Sequence, residues 1–361
     1  KPPVKKLSPR YDWPIFRGDS QLAGVARGEL PESPKLLWTC KTGGAVGSSP
    51  IIVAGRVYVG SAAGKVYAIN LQDGSALWEF KAGSGVEAAP LYFAQKIFVG
   101  TVKGAFYALD AQNGRVVWKF QTGDRIYGSA NLVRAGFPKT PVIVFGSYDN
   151  QMYGLDPQTG KAVWTYRTDN YINGAPAVLK DIVVFGGCDA KAHVISGVNG
   201  TRIFMINAAS YLAGSVALSD HYAYLGNYDG KVLCFDLDSR KIIWRYSQED
   251  GGPFFSSPAV GKDRLVIGSR DQYLYCLSRK EGKLLWRFRT HGSVDSSPVI
   301  CGSKVAVGGM DGRVYLLNLT DGQKIWSYET GAPIKGSPGV SAGKIVIGAA
   351  DGRVYTFGEK E

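Results

Sequence analysis

The sequence predicts an all-β chain folded as an eight-bladed β-propeller of four-stranded antiparallel blades; two periodic markers and a mismatch between the chain's ends predict it. Trp38, Trp78, Trp118, Trp164, Trp244, Trp286 and Trp326 stand 40, 40, 46, 80, 42 and 40 residues apart, and Phe204 fills the gap of 80 at its midpoint. A glycine closing a short β-branched run recurs on the same period, at Gly60, Gly100, Gly146, Gly186, Gly226, Gly268, Gly308 and Gly348. At the ends, the eighth repeat, "GSPGVSAGKIVIGAADGRVYTFGEKE", stops after its third strand, while "KLLWTCK" precedes the first repeat and has no blade of its own. Residues 35–41 are therefore expected to form the outer strand of the last blade, joining both ends of the chain so that no edge is left unpaired. The chain divides into an N-terminal arm, residues 1–34, and a propeller, residues 35–361.

Each repeat reads as four short strands. In the first they are "SSPIIVAG", "RVYVGS", "KVYAINL" and "ALWEFK", alternating or β-branched, separated by Gly, Asn or Asp turns and free of helical period. The second and third strands are joined by segments such as "GNYDGK" and "GGMDGR", and the Asp-Gly pair suits a tight hairpin that needs positive φ. The recurring aspartates Asp149, Asp189, Asp229, Asp271, Asp311 and Asp351 read as turn formers, with a ring of ligands as the alternative. Five of the seven tryptophans follow a glycine by four residues, as in Gly74 and Trp78 or Gly322 and Trp326. A large ring recurring once per wedge fills the space between adjacent blades, where its N–H can find a carbonyl, so the seven tryptophans are expected to be structural docking residues. The 46-residue step places an insertion, Arg134 to Thr140, in the first hairpin of blade three.

Lys and Arg outnumber Asp and Glu by 42 to 30 over 361 residues, a net charge of +12. The opening "KPPVKKLSPR" is the densest patch, and the rest of the excess is spread along the chain, without the basic stripe and stacking aromatics of a nucleic-acid binder. No nucleic-acid partner is expected, while an anionic membrane surface, bound peripherally, or an acidic partner stays open. The longest apolar runs, "PVIVFG" and "DIVVFGG", are strand-length and fall short of the roughly 18 residues a membrane helix needs. Cys40, Cys188, Cys234, Cys276 and Cys301 have no CxxC spacing and indicate neither a zinc site nor a disulfide framework. His193, His221 and His291 lie in different repeats without metal-ligand spacing and read as surface or loop residues. No Gly-x-Ser-x-Gly elbow or Walker loop is present, so no catalytic residue and no metal site is expected. A start at Lys1 fits a processed or truncated chain, and a monomer is expected.

"ALDAQNGRVVW", Ala108 to Trp118, matches in full the Ala-x-Asp-x-x-x-Gly-x-x-x-Trp docking motif of the pyrroloquinoline-quinone-like propeller repeats, and "GLDPQTGKAVW" and "AINLQDGSALW" are near matches. The resemblance covers nearly the whole chain, and the ending "SAGKIVIGAADGRVYTFGEKE" resembles the closing segment of the BamB group of outer-membrane protein assembly factors. Two repeats depart from the motif: the fourth, "VISGVNGTRIF", has Phe204 for tryptophan, and the fifth has Arg240 for glycine. The resemblance implies one of two functions. A quinoprotein dehydrogenase would bring adjacent cysteines, acidic and amide calcium ligands, an aspartate base and long excursions between strands; no two cysteines are adjacent here and the repeats stay near 40 residues. Pyrroloquinoline quinone and calcium are thus unsupported by motifs, and neither a cofactor nor an enzyme activity is expected. The BamB likeness implies instead a non-catalytic scaffold, periplasmic or outer-membrane-associated, that presents a rigid rim to protein partners of the envelope. A quinone- or small-ligand-binding propeller, for a sugar or a peptide, is the alternative.

The loops before each inner strand supply the candidate site. Aligned on the proline of "SSP", or on Asn131 and Val216 where it is replaced, every repeat has two small residues just before that point. Four positions before it the residue is always apolar, as Val46, Val86, Tyr127, Ile172, Leu212, Phe254, Val294 and Ile334, which reads as core. Three positions before it the pattern breaks, into Gly47, Glu87, Gly128, Asn173, Ala213, Phe255, Asp295 and Lys335. These variable residues are expected at the channel mouth with Arg125, Tyr171 and Tyr211. The candidate binding set is Glu87, Arg125, Tyr127, Tyr171, Asn173, Tyr211, Phe254, Phe255, Asp295 and Lys335, aromatic around blades four to six and charged around blades seven, eight and two. The alternative is a set of solvated loop residues in which Asp295 pairs with Lys335.

Overall fold

A computed structural model describes residues 8–134, 140–248 and 251–360. Eight sheets stand around one axis, seven with four strands and one with five. In blade one the strands run Ile51–Val53, Arg56–Ser61, Lys65–Asn70 and Ala76–Lys81, from the axis outward, and the other blades repeat this order. The last blade closes as the sequence requires: Lys35–Lys41 pairs antiparallel with Arg353–Gly358, from Lys35 opposite Gly358 to Lys41 opposite Arg353. Residues 135–139 of the expected insertion lie outside the described residues. Among the described residues no helix is long and apolar enough to cross a membrane.

Packing between blades explains both periodic markers. A Cβ at Gly60 would lie 2.2 Å from Val86 Cγ1, and one at Gly100 would lie 2.3 Å from Ile126 Cγ2. Each marker glycine thus makes room for the apolar residue of the next blade's loop, and the same contact recurs around the ring, ending with Val46 on Gly348. The contact also corrects the alignment of blade three: its core residue is Ile126, fully buried, whereas Tyr127 is only partly buried. Ala130, not Asn131, takes the proline's place, so the expectation of Tyr127 as core is off by one residue.

The tryptophans act across blades as well. Trp38 Nε1 donates to Leu71 O at 2.8 Å, Trp164 to Gly197 O at 3.0 Å and Trp286 to Leu319 O at 2.9 Å, each carbonyl belonging to the next blade. The rings lie flat on the motif glycine of that neighbour, since a Cβ on Gly74 would meet Trp38 at 2.7 Å. The glycine four residues before a tryptophan therefore receives the preceding blade's ring and does not seat its own. The two departures in the sequence are the two halves of one such contact: Arg240 Cζ lies 5.2 Å from the centre of the Phe204 ring, a cation on an aromatic face where the other junctions have indole on glycine. Beside each of these rings the pairing of third and fourth strands slips by one residue, as between Val116 and Trp118, a bulge that re-aims the side chain.

Five of the six hairpin aspartates are turn formers with a second task, whereas Asp229 accepts from Ser210 Oγ. Asp149 accepts from Gln151 N at 3.1 Å and from Tyr153 OH at 2.6 Å; Asp351 accepts in the same way from Arg353 N at 3.0 Å and Tyr355 OH at 2.6 Å. In blade four the tyrosine is replaced by His193, whose Nε2 lies 2.9 Å from Asp189 Oδ2 and whose Nδ1 lies 3.0 Å from Tyr166 OH. His193 is only 2% exposed and is no surface histidine; it takes the place of a buried tyrosine. His221 and His291 are exposed.

The arm crosses one end of the axis. Trp13 exchanges both backbone hydrogen bonds with Ile52 at 2.7 and 2.8 Å, and Tyr92 N donates to Pro14 O at 2.8 Å. Further along, Val178 N reaches Ser20 O at 2.6 Å, Leu218 N reaches Gln21 O at 2.8 Å, Val260 N reaches Ala23 O at 2.8 Å and Ile300 N reaches Gly24 O at 2.9 Å. Asn131 Nδ2 and Ser341 Oγ add contacts to Ser20 O and Tyr11 O at 2.7 Å each, so every blade is touched. Val25–Ala26 then joins Val299–Cys301 as a parallel fifth strand. The arm gives the innermost strands partners for edge N–H groups that the ring cannot pair itself.

Candidate binding chamber

The arm makes the axis a chamber. Phe16 lines a cavity of about 430 Å³ whose walls are the loops before the inner strands. Next to Phe16, Arg17 is 1% exposed; it donates through one terminal nitrogen to Pro298 O and through the other to Pro258 O at 2.8 Å, while its Nε has no partner. Burial pushes its pKa down to about 9, against the favourable charge of Asp19. Gly24 leaves space for this guanidinium, since a Cβ there would overlap it.

Glu87, Arg125, Tyr127, Asn173, Phe255, Asp295 and Lys335 all line this one cavity. Three candidates do not. Phe254 is 2% exposed and packs in the core between blades five and six, its ring 5.8 Å from Tyr275, so its placement at the mouth is corrected to core. Tyr171 and Tyr211 are 46% and 54% exposed and sit on the rim outside the chamber. Tyr171 stacks on Tyr148 at 4.9 Å, and Tyr211 meets Tyr228 edge-on at 6.4 Å.

Side chains from the second-to-third-strand hairpins complete the wall. Tyr148 donates to Asn173 Oδ1 at 2.8 Å, Asn173 Nδ2 donates to Ala213 O at 2.9 Å, and burial pushes the Tyr148 pKa up to about 12. Arg270 forms a two-point pair with Asp295 at 2.8 and 2.7 Å and lays its guanidinium 3.4 Å from the Phe255 ring centre. Asp295 is therefore tied to Arg270 and not to Lys335. Among the described residues, neither Glu87 nor Lys335 forms an ion pair or a side-chain hydrogen bond. Sequence reasoning missed Tyr148 and Arg270, yet a signal existed: each immediately precedes a hairpin aspartate, at a position that varies among the six repeats that carry that aspartate.

The small residues before each proline also do more than fit a crowded axis. Ser337 N donates to Ser49 Oγ at 2.9 Å, Ser297 N to Ser337 Oγ at 2.9 Å, Ser257 N to Ser297 Oγ at 2.9 Å and Ser215 N to Ser257 Oγ at 3.0 Å. Ala175 N to Ser215 Oγ and Ala89 N to Ser129 Oγ, at 2.8 and 2.9 Å, extend the belt, which is interrupted where Ala89 and Ala175 have no hydroxyl to offer. All five cysteines are free thiols and none lines the chamber. Among the described residues no group of three or more His, Cys, Asp or Glu side chains could hold a metal ion. Of the chamber's acidic and amide side chains, Asp295 is held by Arg270 and Asn173 by Tyr148 and Ala213.

A family model described as outer membrane protein assembly factor BamB matches residues 25–246 and 228–360. The chain is similar to the BamB of Nitrosomonas eutropha, 26% identical over 102 residues, and to that of Marinobacter adhaerens, 25% identical over 114 residues. Those alignments cover 28% and 32% of this chain, and the chain spans only 24% and 28% of those relatives' length. Among solved structures, BamB from Moraxella catarrhalis superposes with a TM-score of 0.77 at 21% identity, over 91% of this chain and 98% of that one. The quinohemoprotein alcohol dehydrogenase of Comamonas testosteroni superposes with a TM-score of 0.83 at 13% identity, over 98% and 82%. These likenesses establish the propeller fold in both directions, toward a protein assembly factor and toward an oxidoreductase.

Proposed function

Because the chain belongs to the outer membrane protein assembly factor BamB family, we propose that it is a non-catalytic scaffold of the bacterial envelope that presents a rigid propeller rim to protein partners in outer-membrane protein assembly. The observation that carries this reading is the outer rim of blades two to six. There the outermost strands expose aliphatic side chains beside the docking ring: Val116 and Val117, Val163, Ile203, Ile243, and Leu284 and Leu285, with Val163 at 53% and Leu285 at 46%. On blades seven and eight the matching Ile325, Leu36 and Leu37 are half-buried. An apolar arc on free strand edges is suited to a partner that docks side chains or adds a strand. Lys161, Arg167, Lys241, Arg245, Arg287 and Arg289 flank it and favour an acidic partner. Such work places the protein outside the cytoplasm, and it needs no cofactor.

The test is site-specific photocrosslinking in cells, with the crosslinker at Val163 and Leu285. The expected product joins this chain to another component of the outer-membrane assembly machinery, and Val163→Glu with Leu285→Glu abolishes it while the melting temperature is kept. A chain that fractionates with the cytoplasm, or a rim that yields no assembly component, overturns the reading.

A further inference from the structure

The chamber holds polar capacity that no contact within the fold uses. Six serine hydroxyls of the axial belt line it, and each accepts an amide N–H from the preceding blade. A hydroxyl carries one donor proton besides its lone pairs. Among the described residues none of these six protons is given to a protein acceptor. The belt is thus a ring of hydrogen-bond donors turned on one axis, each polarised by the amide that feeds it.

Charge around the ring is uneven in the same sense. The buried guanidinium of Arg17 rests on the carbonyls of Pro258 and Pro298, the residues that directly follow Ser257 and Ser297. Lys335 stands on the wall two residues before Ser337, without a counter-ion among the described residues, and of the two carboxylates lining the chamber Glu87 is the unpaired one. Convergent donors and fixed positive charge in a recess stabilise an anionic group, since hydrogen bonds to an ionised acceptor are about twice as strong as neutral ones. Phe255, with Arg270 stacked on it, and the Tyr127–Tyr148 pair supply flat walls above the belt.

We propose that the axial chamber is a binding site for one small ligand bearing a carboxylate or phosphate group, its anionic end seated on the hydroxyls of Ser257, Ser297 and Ser337 and answered by Lys335. The site is independent of the outer rim, so a ligand here is separable from any protein partner there. A cavity of 430 Å³ holds a ligand the size of a dipeptide or sugar phosphate.

Calorimetric titration of the full chain with inorganic phosphate and, separately, with citrate tests this, and the preferred probe tells which anion class the site takes. The expected result is one saturable site with a Kd at or below about 1 mM for at least one of them. The double variant Ser257→Ala, Ser297→Ala weakens it by about tenfold or more. Lys335→Gln weakens binding several-fold, and Glu87→Gln, which removes a repelling charge, tightens it. These last two side chains have no partner to lose, so their opposite signs keep the test valid even where the serine variant fails to fold. Absence of saturable binding by both probes up to about 10 mM, or affinities that ignore Lys335→Gln and Glu87→Gln, overturns the proposal.

Discussion

At one end of the axis Trp13, Ile15, Arg17 and Leu22 are nearly fully buried, and a single strand of arm makes hydrogen bonds to every blade. At the other end Glu87, Tyr127, Asn173 and Phe255 are half-buried, and Arg125 and Lys335 are exposed. Both ends are built from residues that break the forty-residue repeat, but for opposite reasons. At the base, a segment present once satisfies eight nearly equivalent edges. At the mouth, eight nearly equivalent loops each hold one position that the blade packing does not fix, although Asn173 and Asp295 have found partners on the neighbouring hairpins. Asymmetry imposed from outside the repeat is structural here, and asymmetry within the repeat is free for recognition.

The largest effect should come from removing the base. A chain beginning at Lys35 loses Trp13, Ile15, Leu22 and Leu30, each contributing about 1.5–3 kcal/mol of burial, together comparable to the entire stability of a typical domain, about 5–15 kcal/mol. Loss of the cooperative thermal transition in circular dichroism is expected, and a retained transition would show that the base is as dispensable as the mouth. Adjacent phenylalanines sharpen the contrast further. Phe254→Ala empties the core between two blades and should cost about 3–5 kcal/mol in urea unfolding. Phe255→Ala, one residue along, should cost less than about 1 kcal/mol, because it strips a wall of the chamber.

A third comparison lies in the hairpin beside the mouth. Burial acts to raise the Asp189 carboxyl's pKa, yet its hydrogen bond and charge interaction with His193 hold it below the ordinary value. A carboxylate with a depressed folded pKa adds stability that is present above the unfolded value and is lost as pH falls through the folded one. Asp189→Asn should therefore cost about 1–3 kcal/mol at neutral pH, with the gap to the parent chain narrowing on acidification in melts run from neutral to acid. The smallest effect belongs to the mouth itself: Glu87→Gln and Lys335→Gln should each change stability by less than about 0.5 kcal/mol, and a larger change would mean that these residues serve the fold.

Most of the ring was legible because it is said eight times. The spacing of tryptophans and glycines and the missing strand at the C-terminal end lead directly to the blade count and to the closure by Lys35–Lys41. What the sequence hid was said once or said differently. The arm has no internal repeat, so nothing in its text marks Trp13 or Arg17 as axial. In blade three Ala130 replaces the proline and the alignment slid to Asn131, which put Tyr127 in the place of Ile126. His193 read as a loose histidine because the tyrosines it replaces, Tyr153, Tyr275, Tyr315 and Tyr355, show their partner aspartates only in three dimensions. The mouth was legible as a set of positions that vary from repeat to repeat, but not its hydrogen-bonded serine belt, for serine and alanine are equally small on paper.

The order of the arm's contacts has a mechanical meaning. From Trp13 to Ala26 its backbone meets blades one, two, four, five, six and seven in that sequence, with Tyr11 returning to blade eight. The arm thus runs round the axis in the order of the blades, and one short segment ties together wedges that lie far apart in the chain, as a hoop holds the staves of a barrel.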